Sequence, residues 1–520
     1  MDPYNAGWLS ILPPVIAVVL ALKTKEVYSS LLVGILTGTC IYTVGMGHGN
    51  VAVGSVEVAF KTMVSKFDLN IVMFCSLLGA LVYVIALAGG ARAYGKWATT
   101  RIRGRRSAMF STSLLGAFIF IDDYFNCLTV GTVMRPITDA RKISRAKLAY
   151  IIDSTAAPVC IIAPISSWAA AVGSNLKATN AFDNELAAFT AMIPWNFYAL
   201  LCLFLVALVS LVRLDFGPML AAEEKALRGR DDTIQRGDKD VSLAANANGT
   251  LWDMLVPILS LIVFATLALL HVGGYWGDDP KFHSLGAAFG NTEAGPALVL
   301  GSFGALAVAL AMFVGRGLLS LKAFMEGMLR GVQAMVPANL ILVLAWGISG
   351  VCRDLLQTPQ FISTLVSPET ALAGAMLPAV IFIIAGFLSF STGTAWGTFG
   401  ILIPIVVSVA QAIDPAAGSP LVVISLSATL AGSVFGDHCS PISDTTVLSS
   451  AGSGCIHIEH VSTQLPYALL TAVCALTGYI VAGLTYSLPL SLGAALLLLI
   501  AAVCLLHWRN ARRGAPAQAA

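Results

Sequence analysis

Carboxylate, amide and hydroxyl side chains gather in two clusters inside otherwise apolar stretches of this 520-residue chain. The first holds Asp122, Asp123, Asn126 and Thr129, then Asp153, Ser154 and Thr155, with Pro158, Pro164, Ser166 and Ser167 behind them. The second holds Ser389, Ser391, Thr392, Gly393 and Thr394. It continues with Gly436-Asp-His-Cys-Ser-Pro-Ile-Ser-Asp-Thr-Thr446, which contains Asp437, Ser440, Ser443 and Asp444. Such oxygens, with backbone carbonyls freed where Pro and Gly interrupt helices, suit a hard monovalent cation such as sodium. A buried carboxylate also favours its neutral form, so a proton and a sodium ion can compete for it. The expected sodium ligands are Asp122, Asp153 and Asp437.

Each group also has a purely structural use. Asp122 could pair with a nearby Arg, and Asp153 could cap a broken helix. Ser154, Ser166 and Ser391 could bond the carbonyl one turn back. His438 lies between Asp437 and Cys439, and consecutive helical residues do not converge on one ion, so no metal or catalytic role is expected there. The run His457-Ile-Glu-His460 reads as a solvated interfacial loop, and Glu57 and Glu326 as polar faces of interfacial helices. The chain has no GxSxG, no GxxxxGK[ST] and no HExxH, so neither an enzyme nor an ATP-driven pump is expected. No cofactor is expected beyond transported Na+ and H+.

The elements holding these groups must sit in lipid. Hydrophobic residues make up 57% of the chain and charged residues 11%, against about 25% charged in soluble domains. Ten cysteines stand singly, with no CxxC pair, and read as small packing residues. No basic region precedes Trp8, so no removable signal peptide is expected. Candidate spans, each near the ~20 residues a bilayer requires, are 8–22, 27–46, 70–89, 148–172, 191–212, 251–271, 294–314, 336–351, 420–436, 464–485 and 488–507.

Two further apolar stretches, 107–134 and 370–412, fit differently. Basic loops stay cytoplasmic, and both 91–106 and 135–147 are strongly basic. The stretch between them must therefore leave and return on one side. Two full crossings need about 40 residues, so 107–134 reads as a re-entrant hairpin with its tip near Phe120–Asn126. Irregular backbone at that depth is tolerated only where protein buries it or water reaches it. Arg213–Asp240 becomes a cytoplasmic linker, Asp278, Asp279 and Glu293 fall outside, and the N-terminus is outside.

The halves repeat. Glu57-x-x-x-Lys61 with Asn70 matches Glu326-x-x-x-Arg330 with Asn339. Phe120 through Arg135-Pro136 parallels Phe390 through Ile403-Pro404, and Ala163-Pro-Ile-Ser-Ser167 parallels Ser440-Pro-Ile-Ser-Asp444. The crossing count puts 51–68 outside and 318–335 inside, so the repeat is inverted. The expected fold is an all-α polytopic membrane protein, an inverted-repeat transporter of about eleven transmembrane helices with two re-entrant hairpins or discontinuous helices. Its parts are 1–250 (with the linker 213–250), 251–508, and a cytoplasmic tail 509–520.

Gly436 through Gly452, followed by His457 and Thr463-Gln-Leu-Pro-Tyr467, closely resembles the signature of the NhaC family of sodium/proton antiporters. Phe120-Ile-Asp-Asp-Tyr-Phe-Asn-Cys-Leu-Thr-Val-Gly131 and Tyr150-Ile-Ile-Asp-Ser-Thr-Ala-Ala-Pro158 look like its first-half counterparts. The resemblance covers roughly 8–507. It implies a secondary transporter of the bacterial inner membrane with paired hairpins, a scaffold and a moving domain, in many relatives a homodimer. By the same resemblance Asp122, Asp123, Asn126, Asp153, Ser154 and Thr155 join Asp437, Ser440, Ser443 and Asp444 around the transport site. Ile456-His457-Ile-Glu459-His460 departs from relatives that carry an Asp before the first His, which weakens any role for that loop. The function implied is Na+/H+ antiport by alternating access. The alternative is sodium-coupled transport of an amino acid or small organic acid, since Trp168, Trp396, Tyr124 and Phe125 lie beside the expected site. Membrane lipid, a small cation and, in that alternative, a small solute are the expected partners; nucleic acid is not.

Overall fold

Among the residues described by this computed structural model, every regular element is a helix. The described residues are all except 1, 25, 48–49, 103, 121–122, 165, 178, 180–181, 183–184, 213, 230–245, 247, 364–373, 415–417 and 513–520. Seven helices are long and apolar enough to cross a bilayer: Tyr28–Gly45, Leu69–Leu87, Trp252–Val272, Gly295–Gly315, Pro420–Cys439, His457–Thr485 and Leu488–Arg509. An eighth candidate is the bent pair Ala187–Trp195 and Phe197–Val212, which turns by 54°. Large apolar side chains face outward along these helices, with Leu497 69% and Phe303 67% exposed. Lipid accepts such a surface and water does not. The chain is a multi-pass membrane protein.

The expected spans differ from the observed helices where polar or proline residues intervene. The stretch 148–172 is not one helix but three, Arg145–Asp153, Ala157–Cys160 and Ser167–Lys177. Pro158 and Pro164 lack the N–H that a continuous helix requires. The span 336–351 is only the latter part of the 30-residue helix Leu321–Gly350. The predicted interfacial loop at His457–His460 is instead the first turn of the 29-residue helix His457–Thr485, with His460 fully buried.

The first part of the expected linker is docked on the helices, through the helix Pro218–Leu227. Asp215 pairs with the buried Lys147. Glu223 pairs with Arg105 and accepts the Ser144 N–H at 2.7 Å. Buried carboxylates need such partners.

Two bodies follow from the packing. Leu69–Leu87, Trp252–Val272, Ala294–Gly315 and Leu321–Gly350 pack on one another as a bundle. Gly79 and Gly331 bring two of these helices so close that a Cβ on Gly331 would lie 2.3 Å from the Gly79 carbonyl oxygen. Small residues allow this approach where lipid gives no hydrophobic drive. Against the bundle sits a second group built from two helical pairs and two broken helices. The first pair is Arg105–Phe118 with Asp123–Ala140, and the second is Leu377–Thr392 with Ala395–Ile413. The first broken helix is Arg145–Asp153 and its continuations. The second is Pro420–Cys439 followed by Asp444–Ser453.

Local chemistry explains the breaks. Pro441 forbids helical continuation and holds Ser440 extended at φ −84°, ψ 129°. Ser443 restarts the helix as its N-cap, accepting the Thr446 N–H at 3.4 Å. In the second pair, Gly393 ends Leu377–Thr392 at φ +70°, a conformation that favours glycine. A Cβ there would also lie 2.5 Å from the Ile442 carbonyl oxygen. The tip of the second pair is thus pressed against the break at Ser440–Ser443.

Candidate functional site

Asp123, Asn126 and Thr129 recur every three residues on Asp123–Ala140, and all three are buried. Residues three apart on a helix share a face. The Asn126 amide nitrogen donates to the carbonyls of Gly116 at 2.7 Å, Ile119 at 2.8 Å and Thr155 at 3.0 Å. Three acceptors around one end fix which end of the amide is NH2. Asn126 therefore ties its own pair to the first break and turns Oδ1 the other way. That oxygen and the Thr129 hydroxyl are buried without a hydrogen-bond partner. Leaving such atoms unpaired costs free energy, so they are oxygens free to coordinate.

Asp437 and Asp444 approach from the second broken helix. Asp437 Oδ2 accepts from Thr445 Oγ1 at 3.0 Å, while Oδ1 is buried without a hydrogen-bond partner. Asp444 Oδ2 accepts from the Tyr124 hydroxyl at 2.5 Å, joining the first pair to the second half. Asp437 is near enough to Asp444, Asp153 and Asp123 for their charges to act on one another. Among the described residues no Lys or Arg forms an ion pair with Asp153, Asp437 or Asp444. Asp437 and Asp444 thus meet neutral hydroxyl donors, Thr445 and Tyr124, and a buried carboxylate without a basic partner favours a proton or a cation.

Asp153 belongs to a different network. Its Oδ2 accepts from Gln464 Nε2 at 2.6 Å and Thr446 Oγ1 at 3.3 Å, and lies 3.3 Å from His460 Nε2. His438 lies 4.0 Å from the same oxygen. Its ring is held by the Tyr198 hydroxyl at 2.7 Å on Nδ1 and the Ser154 hydroxyl at 3.1 Å on Nε2. Gln464 also reaches the His438 carbonyl. His457 joins Ser450 and the Pro441 carbonyl at 3.1 and 2.8 Å. Thr445 and Thr446 are adjacent, so one helical turn connects the Asp437 cluster to the Asp153 network.

The remaining candidates have local partners. Ser391, Thr392 and Thr155 donate to carbonyls one turn back, at 2.8 Å each. Ser166 donates to Cys160 and Ala163 and accepts from the Ala169 N–H. Thr394 caps Ala395–Ile413 through the Gly397 N–H at 3.3 Å. Ser440 donates to the Phe390 carbonyl at 2.8 Å, stitching the second break to the second pair. Ser443 shares a hydrogen bond with Thr445 at 3.0 Å. Asp122 lies outside the described residues, and among those described no three His, Cys, Asp or Glu side chains are disposed around one metal ion. Asp153 and Asp437 accept from different partners, Gln464 and Thr446 on the one and Thr445 on the other.

The model of the Na+/H+ antiporter family matches residues 159–484, more than half of the chain. The chain belongs to that family. A Haemophilus influenzae protein described only as uncharacterized is 37% identical over 496 residues, 94% of this chain and 93% of its own length. Shorter similarities join it to an uncharacterized Na(+)/H(+) antiporter of the same organism, 34% identical over 22% of this chain and 24% of that one. The malate-2H(+)/Na(+)-lactate antiporter of Bacillus subtilis is 30% identical over 22% of this chain and 27% of its own. The NhaC resemblance agrees with this membership.

For this Na+/H+ antiporter family member, sequence reasoning missed His460, Gln464 and Tyr198 as partners of the central residues. The first two carried a signal. His457, His460, Gln464, Tyr467 and Thr471 recur at alternating steps of three and four, a polar stripe on one helical face. Tyr198 lies in a long apolar run and carried none.

Proposed function

We propose that this chain is a secondary active Na+/H+ antiporter working by alternating access, in a bacterial inner membrane. The observation that carries this reading is that Asn126 Oδ1, Thr129 Oγ1 and Asp437 Oδ1 are buried without hydrogen-bond partners, with Asp123–Ala140 tied to the second half by the Tyr124–Asp444 hydrogen bond and by packing on Asp444–Ser453. Asp123, Asn126 Oδ1, Thr129 Oγ1 and Asp437 Oδ1 are the proposed sodium ligands. Asp437 and Asp444 exchange sodium for protons, because two neighbouring buried carboxylates favour holding one or the other. Asp153, fixed by Gln464, Thr446 and His460, positions the helix that carries Thr445.

We further read the chain as two inverted halves, 1–250 and 251–508, with the two helical pairs as re-entrant hairpins. The packing supports a swapped two-fold arrangement. The helix after the second break, Asp444–Ser453, packs on Asp123–Ala140 of the first pair. In turn the helix after the first break, Ser167–Lys177, packs on Ala395–Ile413 of the second pair, where Trp168 and Trp396 rings meet at 5.6 Å. Motion of the paired helices against the four-helix bundle would expose the fixed site to each side in turn.

Proteoliposomes test this directly. A sodium gradient imposed without organic solute should drive proton flux in the wild type and not in Asp123→Asn or Asp437→Asn. A wild type that moves no protons under that gradient overturns the proposal.

A further inference from the structure

Between Asp68 and Asp122 the chain has no Asp or Glu, and all its basic residues there fall within 92–106. Arg92, Lys96 and Arg101 lie on the helix Gly90–Arg101, and Arg105 and Arg106 open the next one, Arg105–Phe118. Glu223 pairs with Arg105. Among the described residues no carboxylate forms an ion pair with Arg92, Arg101 or Arg106. All three are exposed. Arg106 also sits at the positive end of its helix, where an anion is favoured and a cation is not.

The helix Gly90–Arg101 is pinned at the rim of the membrane. Gly89, at φ +85°, turns the chain out of the span Leu69–Leu87, and Gly90 follows three positions after the last residue of that span. A Cβ on Gly90 would lie 2.7 Å from the Asp253 carbonyl carbon, in the first turn of Trp252–Val272. Arg92 Nη2 donates to the Asn246 carbonyl at 2.8 Å. The helix packs on Trp252–Val272 of the bundle and on Asp123–Ala140 of the first pair, so it bridges the two bodies. Tyr94 is buried, while Arg92, Lys96, Trp97 and Arg101 are exposed, Trp97 by 42%. Residues four apart are neighbours, which places Arg92 beside Lys96 and Trp97 beside Arg101. A tryptophan among basic side chains at the end of a span suits the headgroup layer, where the ring stays half-immersed and the cations reach phosphates.

We propose that this face binds anionic phospholipid headgroups of the cytoplasmic leaflet, with Arg92, Lys96, Arg101 and Arg106 on the phosphates and Trp97 at the acyl boundary. The proposal rests on the cytoplasmic placement of 91–106 and not on which ion is carried. A zwitterionic headgroup brings an ammonium with its phosphate, and this stretch offers that ammonium no carboxylate. A soluble acidic partner would have to displace the headgroups from a helix that starts at their depth. Because the helix bridges the bundle and the first pair, the lipid is held where the two bodies meet.

The test uses the full-length purified protein in detergent, titrated with short-chain phosphatidylglycerol and followed by its melting temperature. A saturable rise is expected, smaller at high salt, with phosphatidylcholine giving little. Arg101→Gln combined with Arg106→Gln should weaken binding about 30-fold, about fivefold for each basic side chain near an anionic surface. Arg101→Lys combined with Arg106→Lys should bind nearly as the wild type does, since charge is kept. Without lipid the Gln double variant should melt with the wild type, and a lower melting temperature would show that these arginines serve the fold instead. Phosphatidylcholine or inorganic phosphate matching phosphatidylglycerol, or a Gln double variant that binds as the wild type does, overturns the proposal. Sodium-driven proton flux without a phosphatidylglycerol response sinks this inference alone, and the response without flux sinks the exchange reading alone.

Discussion

Thr129→Val separates a coordinating hydroxyl from a packing one. The substitution keeps shape and removes an oxygen that has no hydrogen-bond partner inside the protein. Without sodium, removing an unpaired buried hydroxyl relieves a desolvation penalty of about 1–3 kcal/mol, so the variant should melt at or above the wild type. With sodium the order should reverse. A contact between a charge and a hydroxyl is worth about 1.5–3 kcal/mol, which corresponds to about a 10- to 100-fold loss of sodium affinity. At a sodium concentration 100 times the wild-type Kd, binding stabilises the fold by about 2.7 kcal/mol, and a tenfold weaker site retains about 1.4 kcal/mol. Melting curves across a sodium titration in choline-balanced buffer read both numbers, and the half-saturating sodium for proton flux reads the affinity independently. A variant less stable than wild type without sodium would mean that Thr129 has a partner. An unchanged half-saturating sodium would remove Thr129 from the site, and with it the argument from unpaired oxygens.

Three other outcomes follow from single contacts. Gly436→Ala puts a Cβ 2.1 Å from the Gly386 carbonyl oxygen and 2.7 Å from the Phe390 nitrogen, both backbone. Overpacking of this kind costs about 1–3 kcal/mol; a lower melting temperature in detergent is expected, and an unchanged one refutes the close packing. Gln464→Leu removes the 2.6 Å donor to Asp153, a loss of about 1.5–3 kcal/mol. It should lower both melting temperature and flux, with Gln464→Glu worse because it adds a like charge. Glu223 sits in the docked segment, where burial and then Asp215 raise its carboxyl above the usual 4.5, against the opposing pull of Arg105. A raised acid contributes stability that is present below 4.5 and lost as pH rises through its folded value. The melting temperature of wild type minus Glu223→Gln should therefore fall as pH rises from 4.5, and a difference that is flat or rising with pH contradicts it.

The membrane setting and the two polar clusters were legible because they contrast with their surroundings. An Asp or Asn within an apolar run stands out, and Pro441 or Pro158 marks where backbone must leave the helix. The break near Asp123 was legible from length, since too few residues lay between basic loops, and the one near Gly393 only through the parallel of Phe120–Pro136 with Phe390–Pro404. What was hidden depends on direction rather than type. The stretch 148–172 was counted as one span because hydropathy sums over the breaks that Pro158 and Pro164 mark. His457–His460 read as a loop because two histidines and a glutamate look solvated, and only their phase with Gln464 shows one buried face. The docking of Asp215 and Glu223 was hidden more deeply. Their partners Lys147 and Arg105 are over 60 positions away in sequence, and a run of mixed charge reads equally well as solvated linker.

The adjacency of Thr445 and Thr446 gives the proposed exchange its means of coupling. One hydroxyl serves Asp437, in the cluster with the unpaired oxygens, and the next serves Asp153, in the histidine and glutamine network. Both side chains ride on the first turn of Asp444–Ser453, which begins with Asp444 itself and is held by Tyr124 from the opposite half. A cation that draws Asp437 toward Asn126 and Thr129 must pull on Thr445, and a short capped helix moves as one piece. That pull reaches Asp153 through Thr446 and the tip of the second pair through the break at Ser440–Ser443. If the coupling runs this way, Thr446→Val should leave sodium binding intact and slow turnover. Thr445→Val should weaken binding itself, and equal effects on binding from both would show that the turn transmits nothing.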